Sequence, residues 1–377
     1  MTIVLRGITW EHARGYDSVV AAANAYRVIR PDVEVKWEFR SLQAFADQPI
    51  ERLVEQYDLL VIDHPHVPVA ADRGLFARLD GTGHDDKLRV LASQSVGRSH
   101  ESYSHGGHQW ALATDAAAQV AVFRPDLISE PPRDWPEVLE LARAGKVLWA
   151  SKPIDAFSSL VTISANAGAS PMNGDGLFLP ETAALEALAL LHELVALVPV
   201  DNLTWNPIQV ADALAEVDTW AYSPLAFGYS NYSRDGFRKH RLRYVDIPSG
   251  PLGVAGSLLG GAGVAVSAQS DVPDDARAHA FWLASAGVQS GAYFDGGGQP
   301  GNAVAWDDDR TNARTLDFFR GTRATLEGAY LRPRFAQYIE LQDRLSPLVT
   351  RTLAGELTDA ECVARMNDLT AELSAAS

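Results

Sequence analysis

From the first residues onward, apolar runs of strand length alternate with stretches of helical period. Thr2–Ile8 reads as a strand, Tyr16–Arg30 carries apolar residues at helical spacing and stops at Pro31, and Val33–Phe39 alternates like a second strand. Pro49–Gln56 is a short helix, and Tyr57–Ile62 is a continuous apolar run, the pattern of a strand buried on both faces. Strand, helix, strand, helix, strand predicts a parallel sheet with right-handed crossovers. Ligands of such sheets sit at the carboxyl ends of the strands, which here are Thr9–His12 and Asp63–His66.

A loop-rich stretch, Ser93–Gln109, leads to two extended pieces, Trp110–Asp115 and Ala118–Phe123. A proline-rich turn then feeds a helix, with Asp134 as its cap, Pro136 in its first turn and Gly145 as its stop. Val147–Ala150 reads as a strand, Pro180–Leu197 and Gln209–Glu216 as helices, and Thr219–Pro224, Arg243–Ile247 and the Gly-rich Leu258–Ser267 as strands. Asp274–Ser285 is a helix, Ser290–Gly301 a glycine-rich loop, and the chain from about Asn312 is mainly helical. No internal repeat is visible, which argues against a solenoid or propeller.

A length of 377 residues suits two domains. The formal net charge of −16 repels phosphate backbones and anionic lipid, so neither nucleic acid nor a membrane surface is an expected partner. No stretch approaches the roughly 20 apolar residues of a membrane span, so no membrane insertion is expected. The one cysteine, Cys362, excludes an intrachain disulfide and is read as a packed small hydrophobe. Met1 runs straight into a strand without a leader pattern, which leaves two destinations open: export with the signal removed, to a periplasmic or extracellular location, or the cytoplasm. The glycines around Gly260 and Gly297 fit neither a P-loop nor a dinucleotide fingerprint, and no cofactor is expected. Histidines are frequent early in the chain (His12, His64, His66, His100, His105, His108), but their spacings complete no ligand set, so no metal is expected either.

Three stretches carry a resemblance. Tyr57–Asp80 (YDLLVIDHPHVPVAADRGLFARLD), His108–Ala150 with its strand pair and PPRDWPEVLELA turn-helix entry, and Gly256–Ser290 (GSLLGGAGVAVSAQSD, then ARAHAFWLASAGVQS) together resemble the carbohydrate-type extracellular solute-binding proteins of bacterial ABC importers. The resemblance covers most of the chain. It implies an α/β, two-lobed periplasmic-binding-protein-like fold, each lobe a mostly parallel sheet flanked by helices, with a cleft between. Lobe one is expected at 1–112 plus 262–305 and lobe two at 115–260, with C-terminal helices 306–377 packed across both. It also implies a small polar, sugar-like solute in that cleft, with ABC permease subunits as partners.

Candidate ligand contacts follow from the strand ends and from the resemblance. Trp10 is a stacking platform or a core anchor; His12 and Arg14 lie on the loop side of the same strand end. Asp63 and His64 follow the buried strand, with Pro65 stiffening them, although Asp63 also suits a helix cap. Asp115 matches the aspartate of the family's lobe-crossing strand, or is a hinge residue. Tyr222, Tyr229 and Asn231 offer aromatic rings and an amide from lobe two, Gly260 and Gly261 permit close backbone approach, and Gln299 offers an amide from the Gly-rich loop. The competing expectation is a cytoplasmic enzyme or sensor on the same fold, in which Asp63, His64, Asp115 and His12 would carry acid-base work. No nucleophile motif accompanies them.

Overall fold

The computed structural model describes residues 2–41, 49–174 and 176–374. The chain forms two compact units, each discontinuous in sequence: unit 1 is 1–116 plus 260–312, and unit 2 is 117–259 plus 313–377. The C-terminal helices from Ala313 onward group with unit 2.

The strands, in chain order, are β1 (Ile3–Trp10), β2 (Val33–Arg40), β3 (Leu59–Asp63), the short hairpin β4 (Ser104–His105) and β5 (His108–Gln109), β6 (Ala111–Ala113), β7 (Ala117–Phe123), β8 (Tyr222–Phe227), β9 (Arg243–Val245), β10 (Leu259–Gly260) and β11 (Ala262–Val266). Unit 1 is built on one sheet of order β2-β1-β3-β11-β6. β1 pairs in parallel with β2 and with β3. β11 is antiparallel to both β3 and β6. β3 is apolar from Leu59 through Ile62 and buried there on both faces, as its sequence implies. One face packs Leu5, Val33, Val61 and Val264 against the helices Ser18–Ile29 and Pro273–Leu283. The other packs Ile8, Leu60, Ile62 and Ala265 against Leu53, Val67 and Tyr103.

Unit 2 departs from the expected parallel sheet. Its ladders β7–β8 and β7–β9 are antiparallel, and Val147 meets Tyr222 in a single parallel bridge. Val147–Ala150 is thus one bridge and not a strand, and the expected strand at Thr219–Pro224 begins later, at Tyr222. The Asp134 cap forms: its carboxylate accepts from the Glu137 amide at 3.0 Å, opening the helix Trp135–Arg143. Pro153–Asn166 is a helix that periodicity does not reveal, because every residue from Asp155 to Asn166 is buried and no polar face marks the period. Buried polar groups tie it to β7: Gln119 donates to Ser159 Oγ at 3.2 Å and accepts from Thr162 at 2.7 Å.

Leu258–Ser267, expected as one strand, is broken at Gly261. This residue has φ of +99°, a conformation that L side chains rarely adopt. The break passes the chain from β10, in the sheet of unit 2, to β11, in the sheet of unit 1.

Candidate functional site

In unit 1 the parallel strands β2, β1 and β3 run the same way, so their carboxyl ends share one edge of the sheet. Arg40 ends β2 opposite Trp10, the last residue of β1, and the Glu11 amide donates to the Arg40 carbonyl at 2.8 Å. Asp63 ends β3 and is half-buried. Burial brings the Arg40 guanidinium down to about 10, with Tyr57 and Asp63 pulling the other way. Half-buried Arg40 and Asp63, exposed Glu11 and half-buried His12 form a polar rim of mixed charge. Beside it the rings of Tyr16 and Phe39 meet edge to face, centroids 4.9 Å apart, with Phe39 49% exposed. Arg40 and Phe39 are absent from the residues picked out in the sequence, although they occupy the strand end that the parallel-sheet rule selects.

The other candidates on this edge lie deeper. Trp10 is packed in the core, its ring so close to Gly15 that a Cβ there would sit 2.4 Å from it; this is the core-anchor alternative. His12 caps a π-helical turn, Ala13–Asp17, and its Nδ1 accepts from the Arg14 amide at 3.0 Å. Arg14 and Asp115 pair with each other: Nε donates to Oδ2 at 2.6 Å and Nη2 to Oδ1 at 2.5 Å, with both residues buried. Burial pushes the Asp115 carboxyl up, against the Arg14 charge and the hydrogen bonds that hold it ionised. His64 is fully buried, its ring edge-on to Tyr103 at 6.3 Å, because Pro65 turns the chain at once into the helix His66–Asp72. Gln299 is buried and spends its amide on the Ala116 carbonyl at 2.9 Å.

In unit 2, Tyr222 is fully buried in the core, and burial pushes its hydroxyl far up. Asn231 is 1% exposed within the turn Ser230–Ser233, and Tyr229, just before it, is half-buried. Gly260 lies in β10 and Gly261 at the break that follows it. The early histidines disperse: His105 meets Asp72 at 3.3 Å and His108 meets Asp80 at 3.0 Å. Among the described residues no group of three or more His, Cys, Asp or Glu is placed to hold a metal ion. No described helix is long and apolar enough to cross a membrane. Cys362 is buried with its sulfur 3.8 Å from that of Met366.

The sequence pattern of the bacterial extracellular solute-binding proteins matches residues 42–315, well over half of the chain. The chain belongs to that family. Solved structures similar to this solute-binding protein are sugar- and polyol-binding relatives. Maltose-bound MalE3 of T. maritima superposes with a TM-score of 0.83 at 16% identity, covering 99% of this chain and 100% of the other. The ribitol complex of an ABC transporter solute-binding protein from Agrobacterium radiobacter K84 gives 0.83 at 19% identity, covering 98% of each chain. The GacH receptor of Streptomyces glaucescens GLA.O gives 0.81 at 16% identity, covering 99% and 98%. The solute-binding protein thus has the MalE-like periplasmic-binding-protein fold that its motifs imply.

Proposed function

We propose that this solute-binding protein captures an uncharged sugar or polyol outside the cytoplasmic membrane and delivers it to an ABC permease. The observation that carries the reading is the polar rim on the carboxyl edge of β1–β3. Arg40 supplies donors, Glu11 and Asp63 supply acceptors, His12 supplies a ring nitrogen, and the Phe39 ring offers an apolar face. Vicinal hydroxyls both donate and accept, so a rim with both functions and little net charge suits them better than it suits an anion or a metal. Similar structures hold maltose, ribitol and, for GacH, acarbose, which supports the same solute class. We assign contacts to Asp63 and His12, with Arg40 added. Arg14, itself paired with Asp115, holds His12 from behind through its amide.

Calorimetric titration and thermal melts with maltose, ribitol, D-mannitol and D-tagatose, against amino acids and phosphate, test this. Ligand at about 100 times its dissociation constant stabilises by about 2.7 kcal/mol. At least one sugar or polyol is expected to bind saturably and raise the melting temperature. Binding of an amino acid or phosphate with silence from every sugar and polyol overturns the assignment.

A further inference from the structure

We propose that the Arg14–Asp115 ion pair is a positioning device that fixes the turn presenting Glu11 and His12, an inference that takes its purpose from the solute-binding role of that strand edge. Asp115 is anchored first. Its amide donates to the Ala262 carbonyl at 2.9 Å, its carbonyl accepts from the Ala262 amide at 3.1 Å, and it bridges Pro300 in antiparallel fashion. The carboxylate is therefore held by the main chain of the sheet that carries the rim. Arg14 docks on it with two parallel N–H···O bonds, and two such bonds fix the plane of the guanidinium as well as its distance.

The other end of Arg14 is the π-helical turn. Its amide donates to His12 Nδ1 at 3.0 Å, and its carbonyl accepts from Ser18 Oγ at 2.8 Å. The Gly15 and Tyr16 amides close on the His12 carbonyl at 2.9 and 2.7 Å. The orientation of the His12 imidazole is thus tied, through one residue, to a carboxylate 101 positions away in sequence. A pair 5% and 1% exposed is a poor investment in stability alone, since two buried charges lose in hydration much of what they gain in attraction. An apolar pair of similar volume serves stability equally well. What it lacks is direction, and direction is what the imidazole needs.

The test compares wild type with Arg14→Lys, Asp115→Asn and the double variant Arg14→Met/Asp115→Leu. Amide hydrogen exchange is followed by mass spectrometry over residues 11–17 and 113–117, and the ring-nitrogen NMR shifts of His12 are recorded. Both single variants are expected to exchange about tenfold faster in those two segments, with the helix Ser18–Ile29 unchanged, and to shift the His12 signals. The double variant is expected to melt like wild type yet keep the fast exchange and the shifted histidine. Wild-type exchange in the single variants, or full recovery of both local readouts in the double variant, overturns the proposal. Titration with maltose and ribitol forms a separate arm. If wild type binds one, the three variants should bind it about tenfold or more weakly, and unchanged affinity overturns the positioning role. If wild type binds an amino acid or phosphate and no sugar or polyol of the wider panel, the solute assignment fails, while the exchange and NMR readouts still decide the proposal.

Discussion

Lowering the pH toward about 5 is expected to weaken unit 1 through His279. This residue lies on the helix Pro273–Leu283, fully buried, with neither ring nitrogen hydrogen-bonded. Its neighbours are aromatic: Tyr26 at 4.7 Å edge to face, Trp282 at 5.7 Å and Trp37 at 6.4 Å between ring centroids. Burial alone brings the imidazole from 6.5 to about 3. In the unfolded chain the same ring takes up a proton below pH 6.5, so between that value and about 3 the unfolded state holds more protons and stability falls as pH falls. With the folded value far below pH 5, the loss at that pH depends only on the unfolded one and comes to about 2 kcal/mol, roughly thirtyfold in the unfolding equilibrium. Urea titrations of wild type and His279→Leu at about pH 7.5 and 5, followed by tryptophan fluorescence, isolate this contribution from that of the carboxylates. Wild type should lose about 2 kcal/mol more than the variant between the two conditions. Equal losses would refute the reasoning, because the buried ring would then be taking up its proton in place.

Two further substitutions probe the packing. Gly15→Ala places a methyl 2.4 Å from the Trp10 ring beside the π-helical turn and is expected to cost about 1–3 kcal/mol, read as a lowered urea midpoint; a wild-type midpoint would mean that the ring has room to move. Tyr222→Phe removes a buried hydroxyl that has no hydrogen-bond partner, so stability should hold or rise by about 1 kcal/mol in the same assay, and a clear loss would reveal a partner for that hydroxyl.

The N-terminal fold was legible because its signals are local. The alternation of Val33–Phe39 and the apolar run before Asp63 locate β2 and β3, and Asp134 announces its helix by its own cap. Pro153–Asn166 was not legible, since a helix buried all round has no polar stripe and only Pro153 marks its start. The site divides in the same way. The parallel-sheet rule finds the edge that holds His12 and Asp63, but it cannot say which side chains turn inward. Arg14 and Asp115 take each other as partners, a pairing that no spacing rule reaches, and Tyr222 sits inside because its strand is buried on both faces from Tyr222 to Ala226. Phe39 and Arg40 are the last residues of β2, where the alternation marks a strand and carries no signal of a ligand contact.

The position of β11 has a consequence for how the chain is made. It lies between β3 and β6, both of which leave the ribosome before it, with the whole 117–259 segment translated in the interval. Until β11 emerges, β3 and β6 each carry an open row of backbone donors and acceptors along buried apolar strands, the surface on which nascent chains pair with the wrong neighbour. Segment 117–259 emerges as one continuous length, so most of unit 2 can begin to fold while unit 1 waits for an interior strand of its sheet. Unit 1, although it comes first in sequence, is completed late, and the unfinished edges of β3 and β6 are where a holding chaperone has most to protect during synthesis.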